Sequence, residues 1–187
     1  MTHYPKIAQL KTVTQFRDRL AELQLALPVD ETIQLVTDAS PLAQPLKVGP
    51  FHLSNRWVVH PMEGWDANAD GSPTEHTLRR WHNFGRSGAS LIWGGEAAAV
   101  QPDGRANPRQ TMAVPENEAG LAALLAELHA GHVAANQSAT ADDRQHFDSP
   151  PVVGLQLTHS GRFCRPHSKQ LEPRIAYHHP LLDAKFG

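Results

Sequence analysis

Six residues in the first half of the chain have the composition of a calcium-binding loop. Residues 66–71 read DANADG, and an EF-hand loop begins D-x-[DN]-x-[DN]-G. Such a loop ends at its twelfth position in a glutamate that binds calcium through both oxygens, but the twelfth position here is Thr77. The eighth position is Pro73, which has no N–H to donate. We therefore predict that this segment joins a strand to a helix and does not bind calcium.

Three other stretches combine polar residues with glycine. They are HPMEG at residues 60–64, GGEA at 94–97 and QLTHSGR at 156–162. The glycines of the second stretch would let a flat ligand approach the backbone closely. Gln156 lies in an otherwise apolar run, where an unpaired buried amide costs about 1–3 kcal/mol. Its amide could read a ring that carries a carbonyl and an N–H, or it could bond a neighbouring strand end, and the residues alone leave both alternatives open.

The twelve histidines suggest a metal site as an alternative. His178 and His179 could form a cluster with His167, but neither a cysteine partner nor an H-x-x-x-H pair on a helix supports it, and adjacent side chains on a strand point apart. We predict no metal site.

The single cysteine suggests a redox nucleophile as a further alternative. Cys164 would need a lowered pKa, which the arginines near it in sequence could supply. An ordinary loop thiol is the favoured interpretation.

The elements that would position these residues alternate between strands and helices. Hydrophobic patterning predicts strands at residues 57–61, 89–93 and 152–157, with helices at about 73–86 and 116–133. Each of the three polar stretches lies where one of these strands ends. Such alternation predicts a parallel sheet, and functional residues in parallel α/β folds gather at the carboxyl ends of the strands.

The remaining segments are less regular. Thr12 and Gln15 predict a capped helix over residues 14–24, and residues 46–53 predict a short hairpin or an extended pair around Gly49. Residues 136–150 are polar and predict a mobile insertion. For residues 181–187 we assign no packing partner. Three strands cannot close a barrel and leave two sheet edges, so we expect the chain to be part of a larger unit.

Composition excludes several classes of function. A net charge of −2 gives no electrostatic basis for binding nucleic acid or an anionic membrane surface. The sequence has no apolar run of about 18 residues and no apolar core of a secretory signal at its N-terminus. A single cysteine fits a reducing compartment. We expect a cytoplasmic protein without membrane or nucleic-acid partners.

Several sequence blocks, in order and at matching spacing, resemble the old yellow enzyme family of NAD(P)H:flavin oxidoreductases. They are NRWVVHPM at 55–62, DG at 70–71, LIWGGE at 91–96, VQPDGR at 100–105 and GLQLTHSGR at 154–162. The resemblance implies an α/β fold, a (β/α)8 TIM barrel that binds FMN at its strand ends. The chain would supply an N-terminal helix and about the first three strands and two helices. Residues 1–41 would form a helical extension and connector, and 42–187 the N-terminal part of an apparently incomplete barrel.

The resemblance also implies roles for individual residues. The backbone of Pro61, Met62 and Glu63 would lie along the flavin. Ala97, or Gly95 if the alignment shifts, would be the small residue at the tip of the second strand. Gln156 would bond the pyrimidine edge of the flavin, and His159 and Arg162 would support the site structurally. The DANADG loop at residues 66–71 would lie at the rim of the site, on its substrate side.

Glu63 departs from the family pattern, which commonly has Thr, Cys or His there. An ionised carboxylate would disfavour the anionic reduced flavin and lower its potential, unless Glu63 pairs with a nearby base or substrate group. The family's substrate-binding His pair, its later flavin-binding Arg and its phosphate-binding loops correspond to positions beyond residue 187. The resemblance therefore implies that the remaining barrel half or an oligomer partner is needed.

The function that follows is the passage of hydride from NADH or NADPH through FMN to a small molecule, an activated alkene or a related acceptor. Two alternatives remain open. The chain could be a barrel fragment without activity of its own, or an α/β binding module unrelated to flavin.

Overall fold

The computed structural model describes residues 5–35 and 40–186. The chain separates into two compact units, one within Met1–Ser40 and one within Pro41–Gly187. Among the described residues, no helix is both long enough and apolar enough to cross a membrane.

The first unit is built on one short helix. Helix α1 spans Val13–Glu22, and the Thr12 hydroxyl accepts a hydrogen bond from the Gln15 N–H at 3.1 Å, which confirms the predicted cap. Arg17 forms an ion pair with Glu31. This pair holds the segment after the helix back against it.

The second unit contains an antiparallel hairpin and a three-stranded parallel sheet with helices between its strands. Its elements are β1 (Leu46–Val48), β2 (Phe51–Leu53), β3 (Val58–Val59), α2 (Glu75–Arg86), β4 (Leu91–Ala99), α3 (Glu118–Ser138), β5 (Val152–Thr158) and α4 (Pro180–Phe186). Strands β1 and β2 pair antiparallel, and the parallel sheet has the order β3-β4-β5. The predicted hairpin and the predicted alternation of strands and helices are confirmed.

Helix α2 begins two residues later than the sequence predicts. A helix that began at residue 73 would have Ser72 as its N-cap. The cap is instead Thr74, whose hydroxyl accepts from the Thr77 N–H while the Thr77 hydroxyl accepts from the Thr74 N–H. The Ser72 hydroxyl donates instead to Asp70 at 2.6 Å. The reciprocal pair of threonines therefore fixes the start of the helix.

One face of the parallel sheet is covered by α2 and α3 and holds the apolar core. Trp81, Ile92, Leu124 and Leu128 form a buried cluster. The two helices approach closely because Gly85 has no side chain. A Cβ there would lie 1.9 Å from the Leu128 carbonyl oxygen.

The opposite face of the sheet is largely uncovered. Trp93 is 56% exposed and Gln156 is also exposed, although both lie on strands. The hairpin lies against this face at one end, where an apolar cavity of about 270 Å³ separates β2 from Trp93 and Gly154. Within the described residues, the sheet is therefore packed mainly on its helix side.

Strand β4 continues to Ala99, although the sequence predicts that it ends at residues 94–96. Its register against β5 shifts between Trp93 and Ala97, which marks an irregularity of the β-bulge type. The shift requires glycine at position 94, because its φ is +56° and a Cβ there would lie only 2.7 Å from the backbone nitrogen of Gln156. The glycines bend the strand and do not end it.

The predicted mobile insertion at residues 136–150 is instead attached to the core. Helix α3 continues to Ser138, and a 3-10 turn follows at Arg144–His146. Phe147 is buried and its ring lies 5.5 Å from that of His132. An aromatic anchor within a polar stretch explains why composition alone misses the packing.

The expectation that residues 181–187 lack a packing partner is wrong for the part that the structure describes, up to residue 186. These residues belong to α4, and the Phe186 ring meets the Phe163 ring edge-on at 5.2 Å. Asp183 forms an ion pair with Arg162 at 2.5 Å.

Candidate functional site

A pocket of about 540 Å³ lies at the carboxyl ends of the three parallel strands. Its lining residues are Pro61, Met62, Glu63, Trp65, Ala97, Gln156 and Thr158. The structure thus brings together five of the six residues that the sequence selects for a cofactor. Gly95, the alternative to Ala97, does not line the pocket. Trp65 and Thr158 are lining residues that sequence reasoning missed.

Backbone hydrogen bonds hold the three strand ends in place. The Ala97 N–H donates to the Met62 carbonyl at 3.1 Å, and Ala97 lies opposite Gln156 in the register of β4 and β5. Because the bulge precedes Ala97, its small side chain lines the pocket between the two neighbouring strands. The arrangement leaves room beside the backbone for a flat ligand.

Gln156 is exposed, whereas its place in an apolar strand predicts burial. Its side-chain amide has no hydrogen-bond partner among residues 5–35 and 40–186. Gln110 instead bonds the neighbouring strand ends, donating to the Ala97 carbonyl at 2.8 Å and to the Thr158 hydroxyl at 3.1 Å. The alternative in which Gln156 serves that purpose is therefore wrong, and its amide remains open to the pocket.

A buried cluster of charges supports the pocket from the helix side. Arg80, from α2, donates through Nη2 to Asp66 Oδ1 at 2.8 Å and to Glu96 Oε2 at 2.7 Å. Its Nη1 donates to the Gly95 carbonyl at 3.2 Å. The other oxygen of Glu96 accepts from the Gly64 N–H at 3.0 Å. One guanidinium therefore connects the loop after β3 to the end of β4.

Burial sets the electrostatics of this cluster. The Glu96 side chain is fully buried, and this burial raises its pKa, although the Gly64 N–H and Arg80 both act to lower it. Burial also raises the pKa of Asp66, but hydrogen bonds and the charge of Arg80 outweigh it, so that pKa lies below its usual value. The pKa of Arg80 lies above its usual value because two carboxylates outweigh the effect of burial.

Sequence reasoning missed this cluster, although one signal for it was present. Glu96 lies in a glycine-rich strand that is otherwise apolar or small. A carboxylate buried there requires a cation, since an unpaired buried charge is very unfavourable. The sequence does not identify Arg80 as that cation, because the contact joins residues far apart in the chain.

The segment from Glu63 to Asp66 has an unusual backbone. A Cβ at Gly64 would lie 2.0 Å from Arg80 Nη2, so only glycine fits against the guanidinium. Trp65 follows with a φ of +53°. Its indole N–H donates to Glu63 Oε2 at 2.9 Å. Glu63 therefore pairs with a neutral donor on its own loop, and not with a base.

The polar groups of the DANADG loop bond within the protein. Hydrogen bonds from the Ser72 hydroxyl and N–H hold the pKa of Asp70 below its usual value, at distances of 2.6 and 3.0 Å. The Asn68 amide donates to the Ser72 hydroxyl at 3.0 Å, and Asp66 binds Arg80. The three side chains that resemble calcium ligands therefore have other partners.

Arg105 ties this loop to two others. Its guanidinium is largely buried and donates to the carbonyl groups of Ala69, Pro102, Pro108 and Pro166 at 2.7–3.1 Å. Only backbone oxygens receive these bonds. Arg105 lies in one of the sequence blocks that carry the family resemblance, and in the structure it holds loops together.

His159 and Arg162 lie outside the pocket. The His159 ring packs on Gly104, where a Cβ would lie 2.6 Å from the ring, and His159 Nδ1 accepts from the Gly161 N–H at 3.1 Å. Arg162 binds Asp183. These contacts are of the structural kind that the sequence predicts for both residues.

Two of the three histidines considered as a metal cluster bind separate carboxylates. His178 Nδ1 lies 2.9 Å from Asp183 Oδ2, and His167 Nδ1 lies 2.9 Å from Glu172 Oε2. Within the described part of the chain, no group of three or more His, Cys, Asp or Glu side chains is placed to hold a metal ion.

Cys164 does not have the properties of a redox nucleophile. It is fully buried, and burial together with the negative charge of Asp103 raises the pKa of its thiol. A reactive thiol needs the opposite shift. The interpretation as an ordinary thiol is therefore favoured.

Comparison with known proteins gives a likeness of fold. No family model and no curated protein matches the chain. Among solved structures, the old yellow enzyme from a Pichia species is similar over 70% of this chain and 28% of its own, with 19% identity and a TM-score of 0.52. The old yellow enzyme homologue from Zymomonas mobilis is similar over 73% and 39%, with 18% identity and a TM-score of 0.52.

A third similar structure is a complex of 2-naphthoyl-CoA reductase. It matches 68% of this chain and 17% of its own, with 16% identity and a TM-score of 0.53. The chain thus spans between 17% and 39% of the length of these three solved structures. At such identities the likeness concerns the fold, an α/β arrangement that matches part of each of these proteins.

Proposed function

We propose that the second unit is the N-terminal part of a (β/α)8 barrel whose strand-end pocket binds FMN. The protein would be an oxidoreductase that passes hydride from NADH or NADPH to an activated alkene or a related small acceptor. The observation that carries this proposal is the convergence of Pro61, Met62, Glu63, Ala97 and Gln156 on one pocket. The fold likeness to old yellow enzyme structures supports it.

The residues of the pocket fit the flavin ring system. The volume of about 540 Å³ lies within the range of about 300–1,000 Å³ that is usual for small-molecule sites. The amide of Gln156 has no protein partner and offers a donor and an acceptor, which complements a ring edge with a carbonyl and an N–H. Met62 is 67% exposed and offers an apolar surface to a flat ring.

When bound, FMN would supply the chemistry of accepting a hydride and donating it to an electron-poor double bond. The chain's own residues would bind and orient the ring. Gln156 would fix its polar edge, and the Ala97 side chain would leave space between the strands. The carboxylate of Glu63 would disfavour negative charge on the nearby ring. The indole of Trp65 keeps this carboxylate in place.

The proposal includes further protein around the pocket. One face of the sheet is largely uncovered, with Trp93 more than half exposed on it. Later strands of the same barrel, or a partner subunit, would cover this face in the active protein. We propose a cytoplasmic setting, which the single cysteine supports, and a small-molecule substrate without nucleic-acid or membrane partners.

Flavin titration tests the proposal directly. The purified chain is titrated into FMN and, separately, into riboflavin while flavin fluorescence is followed. Because the pocket residues would contact the ring, we expect both flavins to bind with similar affinity. Gln156→Leu should weaken binding about tenfold, since it removes the hydrogen bonds to the ring edge.

Gln145→Leu is the matched control, because Gln145 is an exposed glutamine that bonds only the Asp142 carbonyl within its own loop. It should leave flavin affinity unchanged. Failure of the wild-type chain to bind either flavin, or equal binding by Gln156→Leu and the wild type, would contradict the assignment of this pocket.

A further inference from the structure

Trp65 has a backbone conformation that bulky residues rarely adopt. Its φ is +53°, and only one other non-glycine residue in the described part of the chain, Gln24, has a positive φ. Such outliers persist where the surrounding structure over-determines them, and they cluster at binding sites. The contacts that fix this conformation therefore indicate what Trp65 does in the pocket.

Both neighbours of Trp65 are fixed by the same guanidinium. On one side, Gly64 lies against Arg80 and donates its N–H to Glu96, which Arg80 also binds. On the other side, Asp66 receives two hydrogen bonds from Arg80, at 3.2 and 2.8 Å. With its two neighbours held, the backbone of Trp65 has little freedom.

The result is an indole at the edge of the pocket. Trp65 is 49% exposed and lines the pocket together with Gln156 and Ala97. Its one polar group, the indole N–H, is already bound by Glu63 at 2.9 Å. What it offers to a ligand is therefore a flat aromatic surface.

We propose that Trp65 is a specificity-determining residue whose indole stacks on the substrate, so that the pocket prefers planar, aromatic or extensively conjugated acceptors over saturated ones of similar size. An aromatic face gains more from a second flat π-system than from a puckered ring. The inference rests on the proposed function, because it places this acceptor beside a flavin in the same pocket.

Binding measured without turnover tests the role of Trp65. The chain is saturated with FMN, and calorimetry measures the affinities of cinnamamide and of 3-cyclohexylpropenamide, which share the acceptor group and differ in the planarity of the ring. We expect the wild type to prefer cinnamamide by about fivefold. Trp65→Ala should abolish this preference, whereas Trp65→Phe should retain most of it because the aromatic face remains.

Trp57→Ala is the matched control, since Trp57 is 53% exposed but does not line this pocket. It should leave the preference unchanged. FMN affinity is measured separately by fluorescence in each variant, so that the two amides are compared at saturating FMN.

Four outcomes would overturn the inference. An equal loss of affinity for both amides in Trp65→Ala would show that the indole contributes to binding without distinguishing between them. A tenfold loss of FMN affinity in that variant would assign the indole to the cofactor. FMN binding with no preference between the amides in the wild type would contradict the role of Trp65 in specificity but leave the proposed function intact. Absence of FMN binding would remove both proposals.

Discussion

The two faces of the parallel sheet differ in how completely their side chains are satisfied. On the helix side, Ile92, Leu124 and Leu128 are fully buried. On the other side, Trp93 is more than half exposed. Gln156, on the strand that pairs with β4, has no hydrogen-bond partner among the described residues. The comparison indicates that one face determines stability, whereas the other is available for ligands or further protein.

The charge cluster lies where these two regions meet. Arg80 belongs to a helix of the packed side, but the groups that it binds shape the wall of the pocket. Substitutions in the cluster should therefore affect both stability and binding. Substitutions in the core should affect mainly stability, and substitutions in the pocket should affect mainly binding.

The largest expected effect comes from Arg80→Ala. It leaves the buried Glu96 without its cation, and breaking a buried pair in this way costs about 3–5 kcal/mol in the free energy of unfolding. Arg79→Ala is the control, since Arg79 is exposed and its guanidinium bonds the His76 ring on the same helix. Urea denaturation at pH 7 measures both variants. Equal losses in the two would contradict the role of the cluster.

A comparably large loss should follow from a substitution in the core. Ile92→Ala should lower the free energy of unfolding by about 2–5 kcal/mol, because it opens a cavity between the sheet and the helices. Trp93→Ala, one residue further on, should cost less than about 1 kcal/mol because that side chain is already exposed. Similar losses in both variants would mean that the second face is also packed.

The two carboxylates of the cluster should respond to pH in opposite directions. The folded-state pKa of Asp66 is lowered, so its contribution is present above the usual value of 3.8 and is lost as the pH falls through the folded pKa. The folded-state pKa of Glu96 is raised from 4.5, so its contribution is complete below 4.5 and is lost as the pH rises through the folded pKa.

Denaturation curves between pH 3 and pH 8 would separate these contributions. Asp66→Asn should lose stability less steeply than the wild type on the acid side. Glu96→Gln should lose stability less steeply than the wild type as the pH rises above 4.5. A steeper acid loss in Asp66→Asn would show that its folded pKa is not lowered.

The sequence predicts the parts of the fold that depend on local patterns. The alternation of apolar and polar residues indicates the hairpin, the three parallel strands and the helices between them. It also predicts that the strand ends carry the pocket, because parallel strands bring Met62, Ala97 and Gln156 to one edge.

What the sequence does not predict depends on contacts between distant residues. The pairing of Arg80 with Asp66 and Glu96 joins segments 14 and 16 residues away from it. The left-handed backbone of Trp65 follows from that pairing, and no residue preference indicates it. The continuation of β4 past Gly94 likewise depends on β5, against which the glycine fits.

The smallest expected effect concerns the DANADG loop. Calcium should leave the melting temperature unchanged, because Asp66, Asn68 and Asp70 already bond within the protein. A bound ion would raise the melting temperature by selective stabilisation of the folded state. Thermal denaturation in the presence of calcium, with magnesium as the comparison, checks this, and a clear upward shift specific to calcium would reverse our interpretation of the loop.

The burial of Cys164 has a consequence for kinetics. The chain contains one cysteine, and its thiol is fully buried with a raised pKa. A maleimide can therefore alkylate the native protein only during transient opening of the segment that covers this residue. The alkylation rate therefore reports how often this segment opens. Because the chain contains one cysteine, every adduct reports an opening at this position, and no cysteine has to be introduced for the measurement.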